Sequence, residues 1–234
     1  MKIKELSVFL PTYNEEGIIS KVVLNTKDIL QKMTEKWELI IVNDGSSDST
    51  QKIAIDLSKS DPRIKVISHE TNLGYGATLA DGFYNSKYNW IAFTDSDGQF
   101  DFSEINKFFE KQEEAGADLV IGYYKKRRVS KFKILTSRLW ELAVFILFGL
   151  KVHDIDCGFK LIRKEVIDKI PKLESQRGAF ISSELLIKAK KKGFRFAEVP
   201  VTHYPRTKGA GTGRNINVII KSFIDLFRLW RKLK

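Results

Sequence analysis

Short apolar runs alternate with helical patterns through the first half of this 234-residue chain. The runs are typical of buried strands, and the segments between them carry apolar residues at helical spacing. This alternation predicts right-handed crossovers and a mostly parallel sheet covered by helices on both faces. The predicted strands are Leu6–Leu10, Leu39–Val42, Ile64–Ile67, Trp90–Phe93 and Leu119–Ile121, and the predicted helices are Gly17–Met33, Ser49–Leu57, Ala77–Ser86 and Ser103–Glu114.

The second half of the chain is patterned differently. It contains a helical stretch that is apolar on nearly all sides, Ile134–Leu150, followed by a predicted helix at Ser182–Lys192 and a strand at Phe194–Val201. The final segment, Asn217–Lys234, predicts an amphipathic helix with Lys and Arg opposite its apolar face. No repeat, low-complexity tract or linker interrupts the chain, so we predict one compact unit.

Positive charge is concentrated in two segments. The chain has 40 Lys and Arg against 29 Asp and Glu, a net charge of +11. Residues Leu119–Trp140 and Arg206–Lys234 each carry +7, which leaves the remainder at −3. Local basicity indicates an anionic partner, although a solvated basic face is the simpler interpretation of either segment alone.

Cysteine content and hydropathy limit the cellular compartments in which we expect this protein. Cys157 is the only cysteine, which excludes an intramolecular disulfide and a cysteine-rich zinc site and suits a reducing compartment. The longest apolar stretch, Leu142–Leu150, is far below the ~20 residues of a spanning helix. The first apolar run ends at Pro11, too early for a secretion signal. We therefore expect a cytoplasmic protein without a transmembrane segment.

Three polar clusters, Pro11–Glu15, Asn43–Ser46 and Asp95–Gln99, each follow a predicted strand. Parallel sheets bind their ligands beyond the carboxyl ends of the strands. In the third cluster, Asp95 and Asp97 lie two residues apart and can converge on Mg²⁺ or Mn²⁺, with Gln99 completing the ligand set. A calcium loop is excluded because Phe100 and Asn106 stand where its Gly and Glu belong. A solvated turn remains the alternative for an isolated Asp-x-Asp.

Taken together, the motifs resemble those of family 2 glycosyltransferases with the GT-A fold. The residues that carry the resemblance are Pro11-Thr12-Tyr13-Asn14-Glu15, Val42-Asn43-Asp44-Gly45-Ser46, Asn72-x-Gly74-x-Gly76 and Asp95-x-Asp97-x-Gln99. Later segments resemble the branch of dolichyl- and polyprenyl-phosphate sugar synthases: Gly122-Tyr123, Asp154-Ile155-Asp156-Cys157-Gly158-Phe159-Lys160, and Glu198-Val199-Pro200-Val201-x-His203-Tyr204-Pro205-Arg206. The implied fold is a Rossmann-like α/β GT-A single domain with a C-terminal amphipathic helix.

The resemblance implies a division of the chain and a donor site. Residues 1–212 would form the catalytic domain, with residues 1–122 binding the nucleotide sugar and residues 123–212 the acceptor, and residues 213–234 would form the basic terminal helix. The donor is implied to be a GDP- or UDP-hexose. Its nucleotide-sugar contacts would be Pro11, Tyr13, Glu15, Asp44, Asp95 and Ser96, with Asp44 hydrogen-bonding the base, and its metal ligands would be Asp95, Asp97 and Gln99.

The resemblance also implies a polyprenyl or dolichyl phosphate acceptor at an anionic membrane surface. Its phosphate would be held by Arg127, Lys133, Ser137 and Arg206. The implied catalytic residues are Asp97, Asp154 and Arg127, with Asp156 and Glu184 behind Asp154 as further carboxylates; Asp154 fits a base or orienting role and a structural role equally well. Tyr124 departs from the family, whose members usually have Arg there, so Lys125 or Arg127 would complete the phosphate clamp.

The leading hypothesis is thus a metal-dependent, inverting transfer of mannose or glucose to polyprenyl phosphate. The first alternative keeps the donor but uses a glycan or protein hydroxyl as acceptor, which requires a general base. The second alternative is a basic nucleic-acid-binding module. It leaves the acids at the strand ends unexplained, because they would repel phosphate without a metal, and we therefore expect no nucleic-acid partner.

Overall fold

The computed structural model describes residues 2–124, 131–176, 178, 180–206 and 216–234, with the backbone alone for 131–135 and 216–220. These residues form one sheet of seven strands with helices on both faces. The strands are β1 (Ile3–Thr12), β2 (Thr34–Asn43), β3 (Ile64–Ser68), β4 (Trp90–Thr94), β5 (Leu119–Tyr124), β6 (Phe159–Arg163) and β7 (Phe196–Val201). The helices are α1 (Ile19–Met33), α2 (Thr50–Ser60), α3 (Tyr75–Asn85), α4 (Ile105–Ala115), α5 (Lys131–Phe148), α6 (Lys164–Lys169), α7 (Phe180–Lys191) and α8 (Ile216–Leu233).

The strand order across the sheet is β3-β2-β1-β4-β6-β5-β7. Strands β3, β2, β1 and β4 pair in parallel, β6 pairs antiparallel with both β4 and β5, and β7 is parallel to β5. All strands except β6 therefore run the same way, and the predicted mostly parallel α/β sheet is confirmed.

Alternate residues of each central strand face opposite sides of the sheet, as the two-residue period of a strand requires. On β1, Phe9 packs on the side covered by α3, α5, α6, α7 and α8, whereas Val8 and Leu10 pack on the side covered by α1, α2 and α4. On the first side, Phe9, Phe83 and Phe93 form a fully buried aromatic cluster with ring centroids 4.9–5.6 Å apart. The sheet is thus the middle layer between two apolar layers.

The terminal helix α8 is amphipathic, as predicted, and it packs on the core. Leu226 and Leu229 are buried in the same apolar layer as Trp140 and Val144 of α5. The Trp140 ring also meets Phe223 of α8 edge to face, with centroids 5.0 Å apart. Among the described residues, none of the helices combines the length and the hydropathy of a membrane-spanning segment.

Candidate active site

The topology brings the predicted polar clusters to one edge of the sheet. The carboxyl ends of β1, β2 and β4 lead into residues 13–15, 44–46 and 95–99, and β7 leads into residues 202–206. Because β6 runs in the opposite direction, its amino end lies at this same edge, where Phe159 pairs with Thr94. The segment Asp154–Gly158, which precedes β6, is thereby delivered beside the acids that follow β4.

Asp95 is the first of those acids and is held from two sides. The Tyr75 hydroxyl donates a hydrogen bond to its Oδ1 at 2.9 Å. The backbone of Gly158 lies so close that a Cβ there would stand 2.2 Å from Asp95 Oδ2. Burial, and then the negative charge of Asp97, raise the pKa of Asp95 to about 7 against the lowering effects of Tyr75, Lys160 and Arg206. The negative charges of Asp95 and Asp97 therefore repel each other, as is expected of two carboxylates that share a cation site.

Arg206 reaches the same place from the end of β7. His203 forms a β-bridge with Phe100, and the Tyr204 amide donates to the Gln99 carbonyl at 2.8 Å. The Arg206 guanidinium then donates to Glu15 Oε1, and its Nη1 lies 3.7 Å from Asp97 Oδ2. This contact places a cation from the second half of the chain between two acids of the first half.

Gln99 is oriented by the same pairing. Its side-chain nitrogen donates to the Tyr204 carbonyl at 2.9 Å, and its backbone amide donates to Asp97 Oδ1 at 3.0 Å. Since the nitrogen is occupied, the side-chain oxygen is the atom that Gln99 offers as a ligand.

The ends of β1 and β2 form the neighbouring part of the site. The Ser96 hydroxyl donates to the Pro11 carbonyl at 2.7 Å, which ties the turn after β4 to β1. Tyr13 is 43% exposed, so its ring offers a stacking surface, and Glu15 is buried. Burial raises the pKa of Glu15, against the lowering effect of Arg206, and Asp97 adds to the rise.

Asp44 is buried at the end of β2 and anchors the loop between β3 and α3. Its carboxylate accepts hydrogen bonds from the amides of Leu73 and Gly74 at 2.8 and 2.9 Å and contacts His69 Nδ1 at 2.7 Å. A carboxylate has about four acceptor positions. The predicted hydrogen bond from Asp44 to a nucleotide base is therefore compatible with these contacts, and it stays a prediction.

Asp154 is buried, and its Oδ1 accepts the Asp156 amide at 3.2 Å. Lys160, fully buried on β6, lies near enough to feel the charge of Asp154, donates to the Cys157 carbonyl and stands over the Phe93 ring. Burial lowers the pKa of Lys160, while the negative charges of Asp156, Asp154 and Asp95 oppose that effect. Lys160 is thus a counter-charge under the acidic edge, a role that sequence reasoning missed.

Tyr124 stands at the position where members of the family that the sequence resembles usually have Arg. Here it belongs to an aromatic group. Its ring stacks with Phe100 and meets His203 edge to face, with centroids 6.1 and 4.5 Å apart. Burial raises the pKa of Tyr124 far above that of free tyrosine, so its hydroxyl stays neutral. Tyr124 therefore supports the segment that carries Arg206 by packing.

Glu184, considered in the sequence as a further carboxylate behind Asp154, holds a loop. Its two oxygens accept the amides of Glu174 and Ser175 at 2.9 Å each, and Lys188 donates to it at 2.5 Å. Both side chains of this ion pair are nearly inaccessible to solvent. The loop continues to Gln176, whose carbonyl accepts the Ala77 amide at the start of α3.

The structure describes only some of the remaining residues that were predicted to bind the acceptor phosphate. Ser137 is half-buried on α5. Arg127 lies outside the described residues, and so does the side chain of Lys133. The structure therefore brings together Asp95, Asp97, Gln99, Glu15 and Arg206, and leaves the other contacts of the predicted phosphate clamp as predictions.

Comparison with known proteins decides the family. The profile described as "Glycosyl transferase family 2" matches residues 7–171, which include the ends of β1, β2 and β4 and the Asp154–Gly158 segment. This chain belongs to glycosyl transferase family 2. The resemblance seen in the sequence motifs is thereby confirmed.

Among curated relatives of this family 2 glycosyltransferase are prenyl-phosphate sugar enzymes. A dolichyl-phosphate beta-glucosyltransferase of Trichomonas vaginalis is 29% identical over 96% of this chain and 72% of its own length. A dodecaprenyl-phosphate galacturonate synthase of Rhizobium johnstonii is 28% identical over 95% of this chain and 67% of its own. A dolichyl-phosphate beta-glucosyltransferase of Saccharomyces cerevisiae is 29% identical over 84% of this chain, which spans 66% of that relative.

Solved structures support the fold. Glucosyl-3-phosphoglycerate synthase from Mycobacterium tuberculosis, in complex with Mn²⁺, UDP-glucose and phosphoglyceric acid, superposes with a TM-score of 0.72. The match is 20% identical and covers 97% of this chain and 80% of that one. The described residues therefore have the GT-A architecture expected from the sequence.

The oxygen atoms of the side chains that follow β4 suit a divalent metal. In the described part of the chain, no three His, Cys, Asp or Glu side chains gather as a metal cage. Two carboxylates, Asp95 and Asp97, and the side-chain oxygen of Gln99 are instead hard ligands of the kind that Mg²⁺ and Mn²⁺ complete with substrate phosphates. These residues would hold the metal.

Proposed function

We propose that this family 2 glycosyltransferase moves a hexose, glucose or mannose, from a UDP- or GDP-sugar to polyprenyl or dolichyl phosphate. The observation that carries the proposal is the approach of Arg206 to Asp97, with Nη1 and Oδ2 3.7 Å apart. A carboxylate that suits a diphosphate-bound metal and a guanidinium that suits a second phosphate lie side by side. Two phosphate groups, one from each substrate, fit such a pair.

The chemistry of a phosphate acceptor matches this arrangement. A phosphate monoester, whose second pKa is about 6, is already an oxyanion at neutral pH and needs positioning more than deprotonation. Its oxygen would attack the anomeric carbon as the bond to the nucleoside diphosphate breaks and the electron pair leaves with the diphosphate. This single displacement would invert an α-linked donor to a β-linked product. When bound, Mg²⁺ or Mn²⁺ supplies positive charge to the leaving diphosphate.

The chain's own residues would divide these tasks. Residues 1–122 would hold the donor, with Pro11 and Ser96 fixing the site edge and Tyr13, Glu15 and Asp44 contacting the nucleoside. Residues 123–212 would hold the acceptor phosphate through Arg206, Ser137, Lys133 and Arg127. Asp154, buried beside the β4 acids, would orient the reacting groups.

The relatives support the acceptor class. The names of three of them specify dolichyl or dodecaprenyl phosphate, and the solved neighbour contains UDP-glucose and Mn²⁺. Those substrates are carried over here as a proposal.

We further propose that the surface formed by α5 and α8 attaches the protein peripherally to an anionic membrane. Helix α8 buries Leu226 and Leu229 against the core but exposes a second apolar face, and α5 does the same beside it. The exposed apolar side chains are Leu139, Leu142, Phe145 and Ile146 on α5 and Phe223, Ile224 and Phe227 on α8. Arg228 and Arg231 flank a shallow groove on α8, and each basic residue contributes roughly 1 kcal/mol near anionic lipid.

A donor panel tests the proposal. The purified chain is incubated with Mn²⁺ or Mg²⁺, polyprenyl phosphate in detergent and one labelled nucleotide sugar at a time, and the label in the organic phase is counted. Label from one donor is expected, and it should be lost in Asp97→Asn but retained in the control Asp168→Asn, at an exposed acid on α6. Donor hydrolysis without organic-phase label would overturn the acceptor assignment.

A further inference from the structure

His69 is placed directly after β3 and is clamped between two carboxylates. Its Nδ1 lies 2.7 Å from Asp44 Oδ1, and its Nε2 lies 2.8 Å from Asp81 Oδ2. The imidazole side chain is only 6% exposed. Since a neutral imidazole has one N–H donor and an imidazolium has two, both contacts are hydrogen bonds only when His69 is protonated.

The charged groups that face His69 come from two elements. Asp44, at the end of β2, is buried, whereas Asp81, on α3, is 42% exposed. Burial lowers the pKa of His69, but the hydrogen bonds to Asp44 and Asp81 outweigh that effect and raise the pKa above its ordinary value. The imidazolium is therefore the form that this clamp favours.

The clamp fixes the loop of residues 69–74. Asp44 also accepts the amides of Leu73 and Gly74, and the His69 amide donates to the Asn43 carbonyl at 2.9 Å. The loop also lies against Gly45, where a Cβ would stand 2.5 Å from the backbone of Thr71. Any side chain at position 45 would therefore push the loop of residues 69–74 away from the end of β2.

The loop leads directly into the catalytic edge. Gly74 ends it in a conformation with φ of +104°, and Tyr75 then begins α3 and donates its hydroxyl to Asp95. A hydrogen-bonded series therefore runs from Asp81 through His69 and Asp44 to the loop, and through Tyr75 to the first metal-ligand candidate. His69 thus lies on the side of the site where the nucleoside would bind.

We propose that His69 is a positioning residue for the donor nucleotide, whose protonated ring orients Asp44 and the loop of residues 69–74. This rests on the proposed function, because it assumes that a nucleotide binds over Asp44. Since protonation stabilises the clamp, its contribution is complete below the ordinary histidine pKa of about 6.5 and is lost as pH rises through the raised pKa. The contribution of His69 to nucleotide affinity should follow the same course.

The test measures binding of UDP and GDP to the full chain by calorimetry with Mn²⁺, from about pH 6 to about pH 9. For the nucleotide that binds, we expect the ratio of wild-type to His69→Gln affinity to fall about tenfold across this range, the size of a lost charge-assisted hydrogen bond. The ratio is used because ionisation of Asp95, whose pKa is raised to about 7, changes the affinity of both proteins alike. His69→Gln should bind about tenfold more weakly than wild type near pH 6, with a raised KM for the donor and a nearly unchanged kcat, and should bind as wild type does near pH 9. Wild-type affinity and pH dependence in His69→Gln would overturn the inference.

A second variant keeps the test decisive if His69→Gln does not fold. Asp81→Asn removes one charge but retains an acceptor, so the midpoint of the pH dependence should move to lower pH. The matched control is Asp56→Asn, an exposed acid on α2 paired with Lys59, which should leave the midpoint unchanged. An unmoved midpoint in Asp81→Asn would overturn the role of His69, and a wild-type chain that binds neither UDP nor GDP would overturn both this role and the proposed function.

Discussion

The Arg206 guanidinium lies 3.7 Å from the Asp97 carboxylate, although 109 positions separate the two residues in the sequence. The contact depends on the pairing of Tyr204 with Gln99, which turns the chain back towards the end of β4 after β7. A metal ion at Asp97 and the guanidinium would repel each other. In the proposed reaction, Arg206 would therefore leave the carboxylate when a metal-bound donor arrives and would meet the acceptor phosphate.

Replacement of Arg206 tests this exchange. Arg206→Ala should lower kcat/KM for polyprenyl phosphate by about ten- to hundredfold, the size of a lost charge-assisted hydrogen bond. Mn²⁺ affinity without acceptor should stay the same or increase, because a competing cation is gone. Arg195→Ala, at the other end of β7 and largely exposed, is the matched control. A parallel loss of Mn²⁺ affinity in Arg206→Ala would contradict the exchange.

The contacts that hold Asp95 should determine metal affinity. Tyr75→Phe removes the hydroxyl that donates to Asp95, and Gly158→Ala introduces a Cβ 2.2 Å from its Oδ2. We expect weaker Mn²⁺ binding in both, by about tenfold in Tyr75→Phe and by more in Gly158→Ala, since a displaced carboxylate loses its ligand geometry. Titration with Mn²⁺ in the presence of nucleotide measures this directly.

Gly193→Ala is the control for the glycine. Gly193 has φ of +80°, and no atom lies within 4 Å of the point where an alanine Cβ would stand, so alanine there strains only the backbone. Its cost of about 1–3 kcal/mol should appear in stability and leave Mn²⁺ affinity unchanged. Equal Mn²⁺ affinities in Gly158→Ala and Gly193→Ala would refute the proposed role of Gly158.

Glu184 should matter for stability rather than for proton transfer. Glu184→Gln leaves the buried Lys188 ammonium without its counter-charge, and breaking such a pair costs about 3–5 kcal/mol. Denaturant unfolding should show this loss, while the pH profile of kcat keeps its wild-type shape. Lys188→Met should be destabilised too, as the partner of the same pair. A stable Glu184→Gln protein with a thousandfold lower kcat would instead make Glu184 a catalytic base.

The two faces of α8 should separate membrane binding from folding. The double variant Ile224→Ser/Phe227→Ser alters two side chains that are about half exposed, so binding to anionic liposomes should fall severalfold with a smaller loss of stability than a buried substitution causes. Leu226→Ala alters the buried face and should cost about 2–5 kcal/mol of stability while liposome binding is retained. Unchanged liposome sedimentation of the double variant would show that this face does not dock on lipid.

Hydrophobic periodicity predicted most of the elements because the central strands are apolar on both faces. The exceptions are β6 and α6. The five residues of β6 have Lys160 at their second position, which interrupts the apolar run, yet the structure buries that lysine completely. The reversal of β6 could not be predicted either, because the direction of a strand depends on pairing partners distant in the sequence.

The candidate site, too, could be predicted from the sequence only in part. Asp95 and Asp97 were predicted as a pair because their spacing follows a buried strand. The roles of Tyr75, Gly158 and His69 depend on contacts between separate loops, which no local pattern contains. Glu184 showed the opposite problem, since a carboxylate near a site carries the same sequence signal whether it reacts or holds a loop.

The proposed function depends most on the identity of the acceptor as a prenyl phosphate. The most direct measurement supplies the chain, Mn²⁺ and the active labelled donor with polyprenyl phosphate or with polyprenol of the same length, in the same detergent. We expect labelled lipid from the phosphate alone, with a β-linked sugar, because the phosphate oxyanion is the nucleophile. Equal labelling of the free polyprenol would contradict the proposal and would establish a hydroxyl acceptor.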